Sequence, residues 1–105
     1  MKHYVIVEVE VTDPSWIPDY VKNVTPLVER YGGRYLARTP NLEKLEGGRQ
    51  RPQMVVILEW PSKEAAVAFY NSAEYKPFLE RRLAGAKNET VLVAGEDVAR
   101  AEVAG

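Results

Sequence analysis

Three carboxylates, an arginine and a set of aromatic rings are the residues of this chain whose types and spacing suit chemistry on a small molecule. Glu8 and Glu10 alternate with valines in Val5-Ile6-Val7-Glu8-Val9-Glu10-Val11, so they share one face of an extended segment, and Glu59 closes a second apolar run, Met54-Val55-Val56-Ile57-Leu58. If these segments are neighbours in a sheet, Glu8 or Glu10 can approach Glu59. Like-charge repulsion and desolvation in a partly apolar cleft would then raise one carboxyl pKa and make a general acid or base of Glu8 or Glu59. The competing reading is that each carboxylate makes an ordinary ion pair with Arg34, Arg38 or water at the sheet edge. Arg38, at the end of a short strand beside Glu59, has the planar fork that holds a substrate carboxylate, and the same fork serves a structural salt bridge.

Nine aromatic residues, Tyr4, Trp16, Tyr20, Tyr35, Trp60, Phe69, Tyr70, Tyr75 and Phe78, are available to line a cavity, with tyrosine hydroxyls as its few polar handles. Most belong to an ordinary core. Trp16, Tyr20 and Tyr70 stand near helix starts or ends, where clefts open, and are the expected ligand contacts. The only histidine, His3, sits at the start of the first strand, where a strand-end role is expected, and no His cluster exists for a metal or haem site. With no cysteine there is no thiol nucleophile, disulfide or thiolate metal site. Gly32-Gly33 ends a helix where phosphate binding needs a glycine loop that begins one, so no nucleotide cofactor is expected. The expectation is therefore no cofactor and no metal.

The elements that position these residues follow from periodicity. His3 to Val11 alternates with period two and is rich in β-branched residues, which predicts a strand with one wholly apolar face. Asp13-Pro14 supplies a helix start, and a second proline, Pro18, shifts the regular helix to about Ile17. From there Tyr20, Val21, Val24, Leu27, Val28 and Tyr31 form one stripe, with Pro26 as a possible bend, until Gly32-Gly33 stops the helix. Arg34 to Arg38 reads as a second strand. The segment 39–52 is long for a hairpin connection; Leu42 to Glu46 is expected to add strand residues, with Gly47-Gly48 as the turn and Arg49 and Arg51 beside it. This charged loop is either solvated or a lid.

Gln53 to Trp60 is a continuous apolar run, as in a central strand covered on both faces. Ser62 caps a second helix bearing Ala65, Ala66, Phe69 and Tyr70; Asn71-Ser72 interrupts it, and a further piece with Tyr75, Phe78, Leu79 and Leu83 runs to Gly85. Glu89 to Ala94 reads as the fourth strand. The order is then βαββαβ: a four-stranded antiparallel sheet with both helices on one face. Either Val55 and Ile57 or Met54, Val56 and Leu58 must lie on the bare face. An apolar patch of that kind calls for a two-fold partner offering the same face, which makes a homodimer the expected assembly.

Composition bounds the rest. The chain has 105 residues, 46% hydrophobic and 28% charged, enough for one globular domain, expected over residues 1–95, with a flexible or partner-bound tail at 96–105. A formal charge of −1 lacks the basic excess that nucleic acid attracts. Acidic residues arrive too early for a signal peptide, and no stretch approaches the roughly 18 apolar residues of a membrane span, so a cytoplasmic protein without membrane contact is expected.

Taken together, Glu10-Val11-Thr12-Asp13-Pro14, Tyr31-Gly32-Gly33-Arg34-Tyr35-Leu36-Ala37-Arg38, Leu45-Glu46-Gly47, Glu59-Trp60-Pro61-Ser62 with Ala65-Ala66, and Tyr70-Asn71-Ser72-Ala73-Glu74-Tyr75 give the chain its resemblance to a family. From Tyr4 through Gly95 it resembles the small, mostly bacterial proteins of domain of unknown function 1330, in the dimeric α/β-barrel superfamily. That resemblance implies a ferredoxin-like α+β fold and dimerisation, and no established reaction; superfamily relatives include cofactor-independent monooxygenases, lactone isomerases and haem-handling enzymes. Three functions stay open. The first is a homodimeric small-molecule-binding or stress-related protein with a cavity between sheet and helices. The second is a cofactor-independent monooxygenase or isomerase on a small cyclic or aromatic acid. The third is a structural dimerisation module. The expected site is the helix side of the sheet near Glu8, Arg38 and Glu59, beneath the long loop.

Overall fold

The computed structural model describes residues 1–100. Its elements are β1 (His3–Val11), α1 (Ile17–Arg30), β2 (Arg34–Thr39), β3 (Met54–Trp60), α2 (Lys63–Tyr70), α3 (Lys76–Gly85) and β4 (Ala86–Ala94), with a 3₁₀ turn at Pro14–Trp16 before α1. The four strands form one antiparallel sheet in the order β2-β3-β1-β4, the ferredoxin-like arrangement. Of the proposed tail, residues 101–105 lie outside the described residues; within 96–100, Asp97 accepts from the amides of Ala99 and Arg100.

Register decides which side chains meet the helices. Val5, Val7 and Val9 stand opposite Leu58, Val56 and Met54, and all six border the space under the helices. The intervening residues form the other face: Tyr4, Ile6 and Glu8 of β1, Val55, Ile57 and Glu59 of β3, and Val91 and Val93 of β4. The bare apolar set is thus Val55 and Ile57, joined by Ile6 and the exposed Val91 and Val93.

Local chemistry explains the element ends. Asp13 Oδ1 accepts from the Ser15 amide at 3.0 Å, and this hydrogen bond holds the exposed Asp13 carboxyl below its ordinary pKa. At the other end of α1, Gly33 N–H reaches Val28 O at 2.9 Å and Gly32 N–H reaches Glu29 O at 3.0 Å; the closure needs the left-handed backbone at Gly32, φ +93°. Helix α1 continues through Pro26. Its buried Val24 and Val28 pack with Trp60, and burying each valine stabilises by about 1.5–3 kcal/mol.

Two expectations about element extents are corrected. The segment 40–53 adds no strand: Pro40 and Pro52 have no amide for a ladder, Leu45 is 91% exposed, and the chain bonds to itself instead, Arg51 Nη1 donating to Leu42 O at 2.5 Å. In addition, β4 begins at Ala86 and not at Glu89. Once Gly85 ends α3, the extended Ala86 finds Val11 as a partner, so β4 pairs along the whole of β1.

Candidate functional site

A cavity of about 340 Å³ lies between the sheet and the helices. Its floor is Val5, Val7 and Val9 of β1 with Met54, Val56 and Leu58 of β3; its walls are Trp16, Tyr20 and Val24 on one side and Ala66, Phe69 and Tyr75 on the other. The rings touch in series. Trp16 meets Tyr20 edge-on with centroids 5.2 Å apart, Tyr20 meets Tyr75 at 6.1 Å, and Tyr75 meets Phe69 at 4.3 Å. Tyr70 and Val67, both lining residues, also meet solvent, so the cavity opens beside α2.

Each ring has a local anchor. Trp16 Nε1 donates to Gly85 O at 3.1 Å, and the same carbonyl accepts the Thr12 and Asp13 amides, tying the start of α1 to the end of α3. A side chain at position 85 would overlap the Trp16 indole, which is why that residue is glycine. Tyr75 is placed by Ser72, whose hydroxyl donates to Phe69 O at 2.8 Å and accepts the Tyr75 amide at 3.2 Å. The Asn71-Ser72 break between α2 and α3 therefore turns Tyr75 inward.

The polar end of the cavity is made of three groups. The hydroxyls of Tyr20 and Tyr75 are 2.5 Å apart, and Arg82 Nη2 donates to Tyr75 Oη at 3.3 Å. Arg82 is 5% exposed, and its Nε and Nη1 have no hydrogen-bond partner among the described residues. None of the ion pairs among those residues includes it. Burial opposes its charge, the neighbouring Tyr20 and Tyr75 oxygens more than offset this, and the guanidinium stays cationic. Burial, and next the proximity of Tyr75, push the Tyr20 hydroxyl well above the ordinary phenol range, so it stays protonated.

The residues singled out in the sequence divide between the two faces of the sheet. Trp16, Tyr20 and Tyr70 line the cavity. Arg38 reaches its edge, held by stacking 3.7 Å over the Tyr35 ring and by donating to Thr25 Oγ1 at 2.7 Å. A β-bulge between Tyr35 and Ala37 puts Tyr35 and Arg38, three residues apart, on the same helix-facing side. Burial, opposed by the Arg38 charge, raises the Tyr35 pKa.

Glu8 and Glu59 are on the opposite face, which corrects the expected location. On β1 Glu8 alternates with the cavity-lining Val5, Val7 and Val9, and on β3 Glu59 alternates with the cavity-lining Met54, Val56 and Leu58. They are not a pair either: Glu8 stands opposite Val55 and Glu59 opposite Tyr4, four positions further along β3. Glu59 binds Lys2 at 3.3 Å and Arg34 at 3.5 Å, and Glu8 binds Arg49 at 3.4 Å. The partner of Glu59 on β2 is thus Arg34, not Arg38. Through Arg49 the 39–52 loop is drawn to the open face, and none of residues 39–53 borders the cavity as a lid would.

Arg82 and Tyr75 line the polar end of the cavity, and the sequence reading did not single them out as ligand contacts. Their signal was present: Tyr75, Phe78, Leu79 and Arg82 recur at the steps of one helix face, so an arginine occupies a buried stripe position. Leu83, assigned to that stripe, is exposed.

No group of three or more metal-ligating side chains is gathered among the described residues, and no helix among them is long and apolar enough to cross a membrane. The fold is shared with a protein of unknown function from Rhodopseudomonas palustris, with a TM-score of 0.75 at 17% identity over 91% of this chain and 83% of that one. It is shared as well with SnoaB, a cofactor-independent oxygenase from Streptomyces nogalater, at a TM-score of 0.62 and 14% identity over 91% and 94% of the two chains. A putative antibiotic biosynthesis monooxygenase from Nitrosomonas europaea gives 0.57 and 12% over 90% and 89%. At these identities the likeness is one of fold. No curated protein matches the sequence. The model of the domain of unknown function DUF1330 matches residues 2–96, nearly the whole chain, and the protein belongs to that family.

Proposed function

We propose that this chain is a small-molecule-binding protein that works as a homodimer, with one cavity per subunit. The observation that carries the binding reading is the cavity of about 340 Å³, which is within the size range of small-ligand sites and combines apolar walls with a few converging polar groups. The dimer reading is supported by the open sheet face, where Ile6, Ile57, Val91 and Val93 form an apolar surface that a second copy would cover with its own.

A cofactor-independent oxygenase is the second reading, favoured by the fold likeness to the Streptomyces nogalater oxygenase. Against it, no carboxylate lines the cavity, so neither Glu8 nor Glu59 reaches a substrate there as a base. Binding without chemistry is the better supported.

Trp16 and Trp60 both border the cavity and report on its contents. Titrating the protein with the neutral apolar dye N-phenyl-1-naphthylamine should quench tryptophan emission and saturate at one dye per subunit. Native mass spectrometry should show the dimer with two dyes. A protein that takes up no dye would sink the binding reading, and a stable monomer at micromolar concentration would sink the dimer. Oxygen consumption with a bound organic acid would replace binding by the oxygenase reading.

A further inference from the structure

We infer that the cavity selects a small organic carboxylate, with its anionic group on the Arg82 guanidinium and its apolar body against Val5, Val7 and Val56. This inference rests on the small-molecule-binding reading.

The first argument is the state of Arg82. A guanidinium is cationic at any ordinary pH, and burying a charge costs several kcal/mol unless it is paired and hydrogen-bonded. Here a side chain that is 5% exposed borders the cavity, uses one nitrogen on Tyr75, and leaves Nε and Nη1 without hydrogen-bond partners among the described residues. A structural arginine would have a carboxylate or a carbonyl on those nitrogens. This one borders the cavity, and none of the ion pairs among the described residues balances its charge.

The second argument is the donor count. Tyr20 and Tyr75 have one hydroxyl proton each, and their mutual hydrogen bond uses one of the two. Whichever ring donates, the other O–H remains free, and Tyr75 oxygen already accepts from Arg82. The polar end therefore offers a cation and a spare hydroxyl proton, and none of the lining residues is an Asp or a Glu. An ionised carboxylate, which only accepts, matches this set. An amine or a metal cation finds no counter-charge.

The third argument separates a carboxylate from a phosphate. One guanidinium and one hydroxyl neutralise and satisfy a monoanion with two oxygens. A phosphate would bring a second charge and further oxygens against valines, where nothing can bond them.

The test compares phenylacetate with phenylacetamide, which has the same shape and no charge, as competitors of bound N-phenyl-1-naphthylamine at neutral pH. Phenylacetate should displace the dye at a concentration lower by about tenfold or more. In Arg82→Met the dye should still bind and the acid-to-amide ratio should fall to about one; Tyr75→Phe should lower the ratio in part. Equal displacement by acid and amide from the parent protein overturns the carboxylate inference while leaving the cavity reading intact, as does displacement by neither. Failure of the dye itself to bind overturns the cavity reading beneath it. The acid-to-amide comparison in the parent protein needs no variant, so a misfolded Arg82→Met does not rescue the inference.

Discussion

Replacing Arg82 by methionine should make the ligand-free protein more stable, the reverse of the usual outcome for a buried position. Each buried donor left unmade costs about 1–3 kcal/mol, and Arg82 has two such nitrogens. Its one hydrogen bond, to Tyr75 at 3.3 Å, is long and returns about 1 kcal/mol at most. Tyr75 keeps Tyr20 as a partner when the arginine is gone, so the substitution orphans no group. Methionine replaces much of the aliphatic stem, adapts to irregular space and adds no polar atom. Two unmade donors at the lower end of that range, less the one hydrogen bond lost, leave an expected gain of about 1–2 kcal/mol. For a domain of this length that raises Tm by about 4–8 °C per kcal/mol. Urea unfolding at neutral pH, followed by tryptophan emission, measures it, and an unchanged m-value shows that the denatured state is not responsible. A methionine variant less stable than its parent at equal m refutes the reasoning, because the guanidinium would then have compensating partners in the folded chain.

Three other outcomes follow from the same geometry. Ile57→Glu, which puts a charge at the centre of the open face opposite Ile6, should convert the proposed dimer to a folded monomer; light scattering that still shows a dimer counts against sheet-to-sheet pairing. Gly85→Ala drives a methyl group into the Trp16 indole, so it should cost about 1–3 kcal/mol in urea unfolding and shift tryptophan emission, and an unchanged midpoint would show that the indole does not need that cradle. The Tyr20 pKa is raised in the folded chain above its ordinary 10.0, so its stabilisation is fully present below pH 10 and is lost as pH rises beyond it. The urea midpoint of the parent should therefore fall more steeply above about pH 10 than that of Tyr20→Phe, and parallel curves would contradict the raised pKa.

Strands and helix caps were readable in the sequence because each has a local cause. Period two at His3–Val11, Asp13-Pro14, Gly32-Gly33 and Ser62 act within a few residues, and β1, α1 and α2 begin or end where they say. Placement across the sheet was harder, since it depends on register. Alternation put Glu8 and Glu10 on one face of β1 but did not say whether the valine face or the glutamate face would meet the helices; the extent of Val5-Val7-Val9 against Met54-Val56-Leu58 decides it. Arg38 was harder still. Strict alternation puts it on the side away from Tyr35, and only the bulge, a property of β2 against β3, brings the Arg38 guanidinium and the Tyr35 ring together on the helix side. The 39–52 loop failed for the opposite reason: glycine and proline describe where a ladder cannot form, and contacts such as Arg49 with Glu8, 41 positions apart in sequence, have no local signal.

The site itself depends on three breaks in regular structure. The bulge in β2 turns Arg38 and Tyr35 inward, the Asn71-Ser72 interruption turns Tyr75 inward, and Gly85 makes room for Trp16 while its carbonyl fixes the indole. Continuous helix from α2 into α3 would move Tyr75 around the helix axis and away from Tyr20, since each residue turns the face by about 100°. Arg82, two turns beyond Tyr75 on the same face of α3, would move with it. The irregular residues and the uncompensated charge are therefore parts of one arrangement: local order is given up at Ser72 and Gly85, and stability at Arg82, around the cavity between the sheet and the helices.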